Sequence, residues 1–181
     1  MKITTTPLND LLLIKPKQFL DERGYFFECF QQQRYQKIKL PNFVQDNISH
    51  SKKNVLRGLH YQLPFAQGKL IWVLKGKIWD VVVDIRLQSS TFGQWFSIEL
   101  DDLTHTQLYI PPGFAHGFYV LSDDADIYYK CTEYYSPSHE CGIIWNDPHL
   151  AITWPTTTPI LSPKDSLLPA LDEIAHDKLF A

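Results

Sequence analysis

Four short clusters in this chain hold side chains suited to moving a proton or steadying a negative charge. The first is Val55-Leu56-Arg57-Gly58-Leu59-His60-Tyr61-Gln62, an apolar stretch carrying a cation and an imidazole at i and i+3. His60 has the chemistry of a general base, but residues three apart on a strand face opposite sides. Arg57 and His60 therefore share a pocket only if Gly58 forms a bulge, a common role for glycine inside a strand. Otherwise they are a core histidine beside a surface arginine. The second cluster, Gln67-Gly68-Lys69-Leu70, opens an apolar run with a lysine that either projects into a cavity mouth or is simply solvated. In the third, Tyr109 to Phe118, Pro112 and Gly113 force a tight turn just ahead of His116, and a turn alone would explain both residues. The fourth runs Tyr128-Tyr129-Lys130 and then Tyr134-Tyr135-Ser136-Pro137. Neighbouring residues on a strand point opposite ways, so one of Tyr128 and Tyr129 points inward, where ordinary packing is the competing explanation.

Strands have to position these groups. Short runs rich in β-branched and aromatic residues, Lys69–Leu74, Ile78–Ile85, Gln94–Leu100 and Gln107–Ile110, are separated by turn signals such as Lys75-Gly76-Lys77. Two more, Gly117–Leu121 and Asp126–Thr132, flank the polar stretch Ser122-Asp123-Asp124, and Ile143-Ile144-Trp145 suggests a last short strand. Helical patterning is confined to about Gln31–Ile38 and Leu171–Leu179, near the termini. The fold class is therefore all-β, an antiparallel sandwich or small barrel rather than a βαβ arrangement, with a jelly roll as the architecture of choice.

The 181 residues suit one domain spanning 1–181, and no repeat, linker or low-complexity tract divides it. Hydrophobic residues at 44% exclude disorder, and a net charge of -3 supplies no basic footprint for nucleic acid. The longest apolar run near the N-terminus, Leu11 to Ile14, is too short for a signal peptide or membrane span, so neither is expected. Cys29, Cys131 and Cys141 lack the close spacing of zinc or redox sites and read as free thiols in a reducing cytoplasm. His105, His139, His149 and His176 read as surface or loop residues.

Asp21-Glu22-Arg23-Gly24, Phe43-Val44-Gln45-Asp46-Asn47, Arg57-Gly58-Leu59-His60, Gln67-Gly68-Lys69, Gly113-Phe114-Ala115-His116-Gly117-Phe118 and Tyr134-Tyr135-Ser136-Pro137 follow one another in a recognisable order. With Leu161-Ser162-Pro163-Lys164-Asp165 near the C-terminus they make the chain, over nearly its whole sequence, closely resemble the dTDP-4-dehydrorhamnose 3,5-epimerases. That resemblance implies a cupin-type jelly roll acting as a homodimer, with a dTDP-sugar as substrate. The implied reaction moves protons at C3 and C5 of dTDP-4-dehydro-6-deoxy-D-glucose, on the way to a rhamnose or related deoxysugar. By resemblance His60 is the base, Asp165 the carboxylate paired with it, Tyr129 the acid on the opposite face, and Lys69 a residue near the C4 ketone. Arg23, Arg57 and His116 match positive or hydrogen-bonding positions around the substrate, and arginine's planar fork suits a diphosphate. Glu28, Gln45, Asn47 and Tyr134 match further binding positions, while Phe19 and Phe26 match packing positions for the thymine or deoxyribose.

Pro111-x-Gly113-x-x-His116 is similar to the second histidine motif of metal-binding cupins, but the first, a His-x-His pair, is missing around His60. One histidine does not supply the three or four ligands that zinc or non-haem iron needs, so neither a metal nor a redox cofactor is expected. The competing readings are a relative that epimerises one carbon, a metal-dependent cupin enzyme, and a sugar-binding jelly roll without catalysis.

Overall fold

The computed structural model describes all residues from Met1 to Ala181. Its strands are β1 (Lys2–Thr5), β2 (Leu12–Lys15), β3 (Gln18–Asp21), β4 (Gly24–Phe27), β5 (Gln45–Lys52), β6 (Leu56–Gln62) and β7 (Lys69–Lys75). They continue with β8 (Lys77–Asp84), β9 (Trp95–Asp101), β10 (Gln107–Ile110), β11 (Phe114–Val120), β12 (Asp124–Cys131) and β13 (Glu140–Gly142). A six-stranded sheet in the order β1-β2-β10-β7-β12-β5 faces a five-stranded sheet in the order β13-β6-β11-β8-β9, and β3 pairs only with β4 in a separate hairpin. All these pairings are antiparallel, and the two facing sheets make the expected jelly roll.

Three apolar clusters show why many strands lack a clean alternation of apolar and polar residues. Between the sheets, Ile71, Val73, Leu108, Ile110 and Ile127 of one meet Ile78, Val82, Leu100, Phe114 and Val120 of the other. The outer face of the five-stranded sheet presents Leu56, Leu59, Val81, Val83 and Ala115 to the C-terminal segment, which covers them with Leu150, Trp154 and Leu179. On the outer face of the six-stranded sheet, Ile14, Leu70, Trp72 and Tyr109 are covered by Tyr35 of the short helix α1 (Gln32–Gln36) and by Leu40. Central strands buried on both faces read as nearly continuous apolar runs.

Two elements differ from the sequence expectation. The last strand begins at Glu140, three residues before the apolar Ile143, because Glu140, Cys141 and Gly142 pair with Gln62, Tyr61 and His60 of β6. Ile143 nevertheless extends the ladder, exchanging backbone hydrogen bonds with Leu59 at 2.9 and 3.1 Å. The helical pattern over Leu171–Leu179 resolves into two 3₁₀ turns, Leu171–Glu173 and His176–Lys178, with Ile174 extended between them. An extended path lets Leu171, Ile174 and Leu179 all reach the same sheet face, which a single helix of that length would not follow. His105, expected at the surface or in a loop, is in a loop but only 4% exposed, because its ring stacks on Phe27 with centroids 4.5 Å apart. All three cysteines are free thiols. No helix is long and apolar enough to cross a membrane.

Candidate active site

A cavity of about 410 Å³ opens between the two sheets at one end of the sandwich, a size suited to a small organic ligand. Alternation along the six-stranded sheet supplies one wall: Gln45, Asn47 and Ser49 from β5, Ile127, Tyr129 and Cys131 from β12, and Lys69 and Ile71 from β7. Arg57, His60 and Gln62 of β6, His116 and Phe118 of β11, and Glu140 of β13 come from the other sheet, and Tyr135 from the loop before β13. The register decides between the adjacent tyrosines: Tyr129 faces the cavity, whereas Tyr128 packs on Trp72 with ring centroids 4.5 Å apart.

Arg57 and His60 share this cavity because β6 is bulged. His60 pairs with His116 and Arg57 with Phe118, so β6 uses one more residue than β11 over the same span. Gly58 sits in that bulge at φ +109, and a Cβ there would stand 2.6 Å from the Cα of Gly117 and the carbonyl oxygen of His116. Only glycine fits, and its bulge turns a separation that should divide two side chains into one that unites them. The Arg57 guanidinium is held toward β5 by its Nε, which donates to Ser51 Oγ at 2.9 Å.

His60 is anchored from behind. Its Nε2 lies 2.7 Å from Oδ1 of Asp165, a residue 105 positions along the chain whose side chain is 5% exposed. Burial pushes the Asp165 carboxyl up, but the hydrogen bond and charge of His60 and the Gly58 N–H bring it below the ordinary Asp value. An ionised carboxylate only accepts hydrogen bonds, so Nε2 is the nitrogen that donates to Asp165, and in the neutral imidazole the lone pair is on Nδ1. Across the cavity, burial first, and then the nearby Cys131 and Glu140, push the Tyr129 hydroxyl up, so it stays protonated and able to donate. The Lys69 ammonium has no ion-pair or hydrogen-bond partner; burial pulls it down while Cys131, Glu140 and Asp80 pull it back up. His116 is fixed by Asp80, whose Oδ2 stands 2.9 Å from Nε2 and whose side chain is fully buried. No group of three or more His, Cys, Asp or Glu side chains is arranged to hold a metal ion.

The fold thus gathers His60, Arg57, Lys69, Tyr129, His116, Gln45 and Asn47 around one cavity and sets Asp165 behind His60. Phe19, Arg23, Glu28, Phe26 and Tyr134 do not line it. Phe19, Arg23 and Phe26 stand on the separate β3–β4 hairpin, where Phe19 is 54% and Phe26 70% exposed and Arg23 pairs with Asp21. Glu28 follows β4 and pairs with Arg34 at 3.2 Å. Tyr134 is exposed, and the adjacent Tyr135 takes the place at the cavity. Glu140, Tyr135 and Cys131 are cavity residues that sequence reasoning passed over. Glu140 carried the one available signal, a carboxylate just ahead of an apolar strand.

A base and an acid on facing sheets, with an unpaired ammonium on β7 in the same wall as the acid, can remove a proton from one side of a carbon and return it from the other. Residues 5–173 match the profile of the family described as dTDP-4-dehydrorhamnose 3,5-epimerase. The chain belongs to the dTDP-4-dehydrorhamnose 3,5-epimerase family. It is 50% identical to the dTDP-4-dehydrorhamnose 3,5-epimerase of Escherichia coli (strain K12), an alignment covering 100% of each chain. It superposes with TM-score 0.96 and 50% identity on the crystal structure of dTDP-6-deoxy-D-glucose-3,5-epimerase from Legionella pneumophila Philadelphia 1 in complex with dTDP-4-keto-L-rhamnose, covering 99% of this chain and 97% of that one. A Streptomyces niveus protein named dTDP-4-dehydrorhamnose 3-epimerase is more distant, at 38% identity over 91% of this chain and 81% of its own. As a member of the 3,5-epimerase family this chain is an isomerase, and its cupin-like jelly roll is the family's fold.

Proposed function

We propose that the chain epimerises dTDP-4-dehydro-6-deoxy-D-glucose at C3 and C5 to dTDP-4-dehydro-L-rhamnose, with His60 Nδ1 as base and Tyr129 as acid. The observation that carries these roles is the placement of the two groups on facing sheets around one cavity, with Asp165 behind the base. A proton beside a ketone is acidic because its loss gives an enolate, and the developing charge on the C4 oxygen is what Lys69 meets. Asp165 sets the tautomer of His60 and stabilises the imidazolium that forms. The Tyr129 hydroxyl then returns a proton to the other face, which inverts the carbon, and the ketone re-forms. Once His60 has released its proton to solvent and Tyr129 has taken one back, the other carbon is handled in the same way, since C3 and C5 both flank C4 and yield enolates with the same oxygen. Gln45, Asn47, Arg57 and His116 hydrogen-bond the sugar and its diphosphate. Incubating dTDP-4-dehydro-6-deoxyglucose with the protein in heavy water tests this directly by mass spectrometry. Deuterium is expected at both C3 and C5; incorporation at one carbon would make the chain a mono-epimerase, and none would remove proton abstraction altogether.

The working unit in this reading is a homodimer in the cytoplasm. Support comes from the β3–β4 hairpin, which exposes Phe19, Leu20, Tyr25 and Phe26 together, more apolar surface than an isolated hairpin comfortably leaves in water. Phe19, Arg23, Phe26 and Glu28, outside their own chain's cavity, reach the nucleotide in the partner's. Mixing inactive His60→Asn subunits with inactive Arg23→Ala subunits is then expected to restore activity after exchange, because each hybrid dimer holds one cavity with both groups intact. If the mixture stayed as inactive as its parts, Arg23 would have to serve its own chain or none.

A further inference from the structure

His60 stands between two carboxylates. Asp165 Oδ1 is 2.7 Å from Nε2, and Glu140 Oε1 is 3.7 Å from Nδ1, the nitrogen that has to accept the proton. Anions on both sides favour the imidazolium, and an imidazolium is no base. Glu140 is nonetheless drawn elsewhere: its Oε2 accepts hydrogen bonds from the Tyr135 hydroxyl at 2.6 Å and from Lys164 Nζ at 2.5 Å. Burial acts to raise the Glu140 carboxyl, yet Lys164, Tyr135 and His60 together bring it below its ordinary value, so the group is ionised. Lys164 immediately precedes Asp165 in one short turn. Consecutive residues therefore govern both nitrogens of the ring, Asp165 directly and Lys164 through Glu140.

We propose that Lys164 is a positioning residue for the epimerisation, which holds and neutralises Glu140 so that His60 Nδ1 remains free to take a proton from the sugar. Lys164 does not line the cavity, and its side chain is 54% exposed, so it acts only through Glu140. The other charged or titratable groups facing His60 are Asp165 from the C-terminal turn, His116 with Asp80 from β11 and β8, Arg57 on its own strand, and Lys69, Cys131 and Tyr129 across the cavity. Among the lysines and arginines, Lys164 alone forms an ion pair with Glu140.

The sign of the effect follows from charge. Removing the ammonium unmasks Glu140 beside Nδ1, which stabilises the imidazolium, and the base becomes available only at higher pH. In Lys164→Met, the acid limb of the kcat/KM profile is expected to move up by about half to one pH unit, with the plateau above it within about twofold of the parent, and Lys164→Arg restores the original limb. The His60 imidazole resonance, identified by its loss in His60→Asn, moves by the same amount. A merely structural lysine would lower kcat/KM evenly at every pH, and either that result or an unmoved limb overturns the inference; Lys164→Gln, which removes the same charge, gives the same reading if the Met variant folds poorly. The inference rests on His60 being the base, and the two fail separately. Full activity in His60→Asn removes that base, whereas a dead His60→Asn with an unmoved limb in Lys164→Met removes only the role of Lys164.

Discussion

Replacing His60 with Asn is expected to lower turnover of the 4-keto sugar nucleotide by about 10²–10⁴-fold, the usual contribution of a well-placed general base. The amide keeps roughly the size of the imidazole and can still hydrogen-bond Asp165, so the bulge at Gly58 and the packing of β6 against β11 should survive. Nucleotide affinity is therefore expected to stay within a few-fold of the parent, since the contacts proposed to the diphosphate come from Arg57, Gln45 and Asn47. Steady-state kinetics together with calorimetric titration of dTDP separates the two effects. A fall in kcat with dTDP binding retained marks a group used in the chemistry, and unchanged kcat would remove His60 from the mechanism. A non-catalytic sugar-binding jelly roll would show no solvent exchange to lose.

Lys69→Met carries the second largest expected loss, about 10²–10³ in kcat, the typical result of deleting one preorganised donor to an oxyanion. The lysine has no carboxylate in ion-pair contact, so its charge is available to the developing enolate. Methionine preserves the length and much of the volume, and its neighbours in the ladder, Cys131 and Ile110, need not move. The loss should therefore appear in kcat far more than in the stability of the fold, which thermal unfolding of the two proteins would confirm. Burial already lowers the ammonium's pKa, so raising the pH deprotonates this lysine earlier than a solvated one. An alkaline fall in activity present in the parent and absent from the residual activity of Lys69→Met would assign that limb to Lys69. Equal loss in KM and none in kcat would instead make Lys69 a ground-state contact.

Much of the fold was legible because strands announce themselves locally. The runs around Lys69–Leu74, Ile78–Ile85 and Gln107–Ile110 are strands β7, β8 and β10 within a few residues, since β-branched and aromatic side chains between turn residues require no distant partner to be recognised. The C-terminal path was not legible, because Leu171, Ile174 and Leu179 repeat at helical spacing while in fact following a sheet face in two broken 3₁₀ turns. Periodicity reports which residues are buried and says little about what they are buried against.

By itself, then, the order of residues determined an all-β chain, the clusters around Arg57–His60, Lys69, His116 and Tyr128–Tyr129, and, through the motifs shared with the epimerases, the kind of chemistry to expect. Tertiary structure alone decided which of two adjacent tyrosines faces the cavity, that one extra residue at Gly58 brings Arg57 and His60 to the same side, and that Glu140 and Tyr135 join them. It alone also sets Asp165 at 2.7 Å from a histidine 105 residues away and leaves Phe19, Arg23 and Phe26 on a hairpin outside their own chain's cavity. The physical reason is common to all of these: side-chain direction is set by register, bulges and sheet order, and those are agreements between segments distant in the chain, which no local run of residues contains.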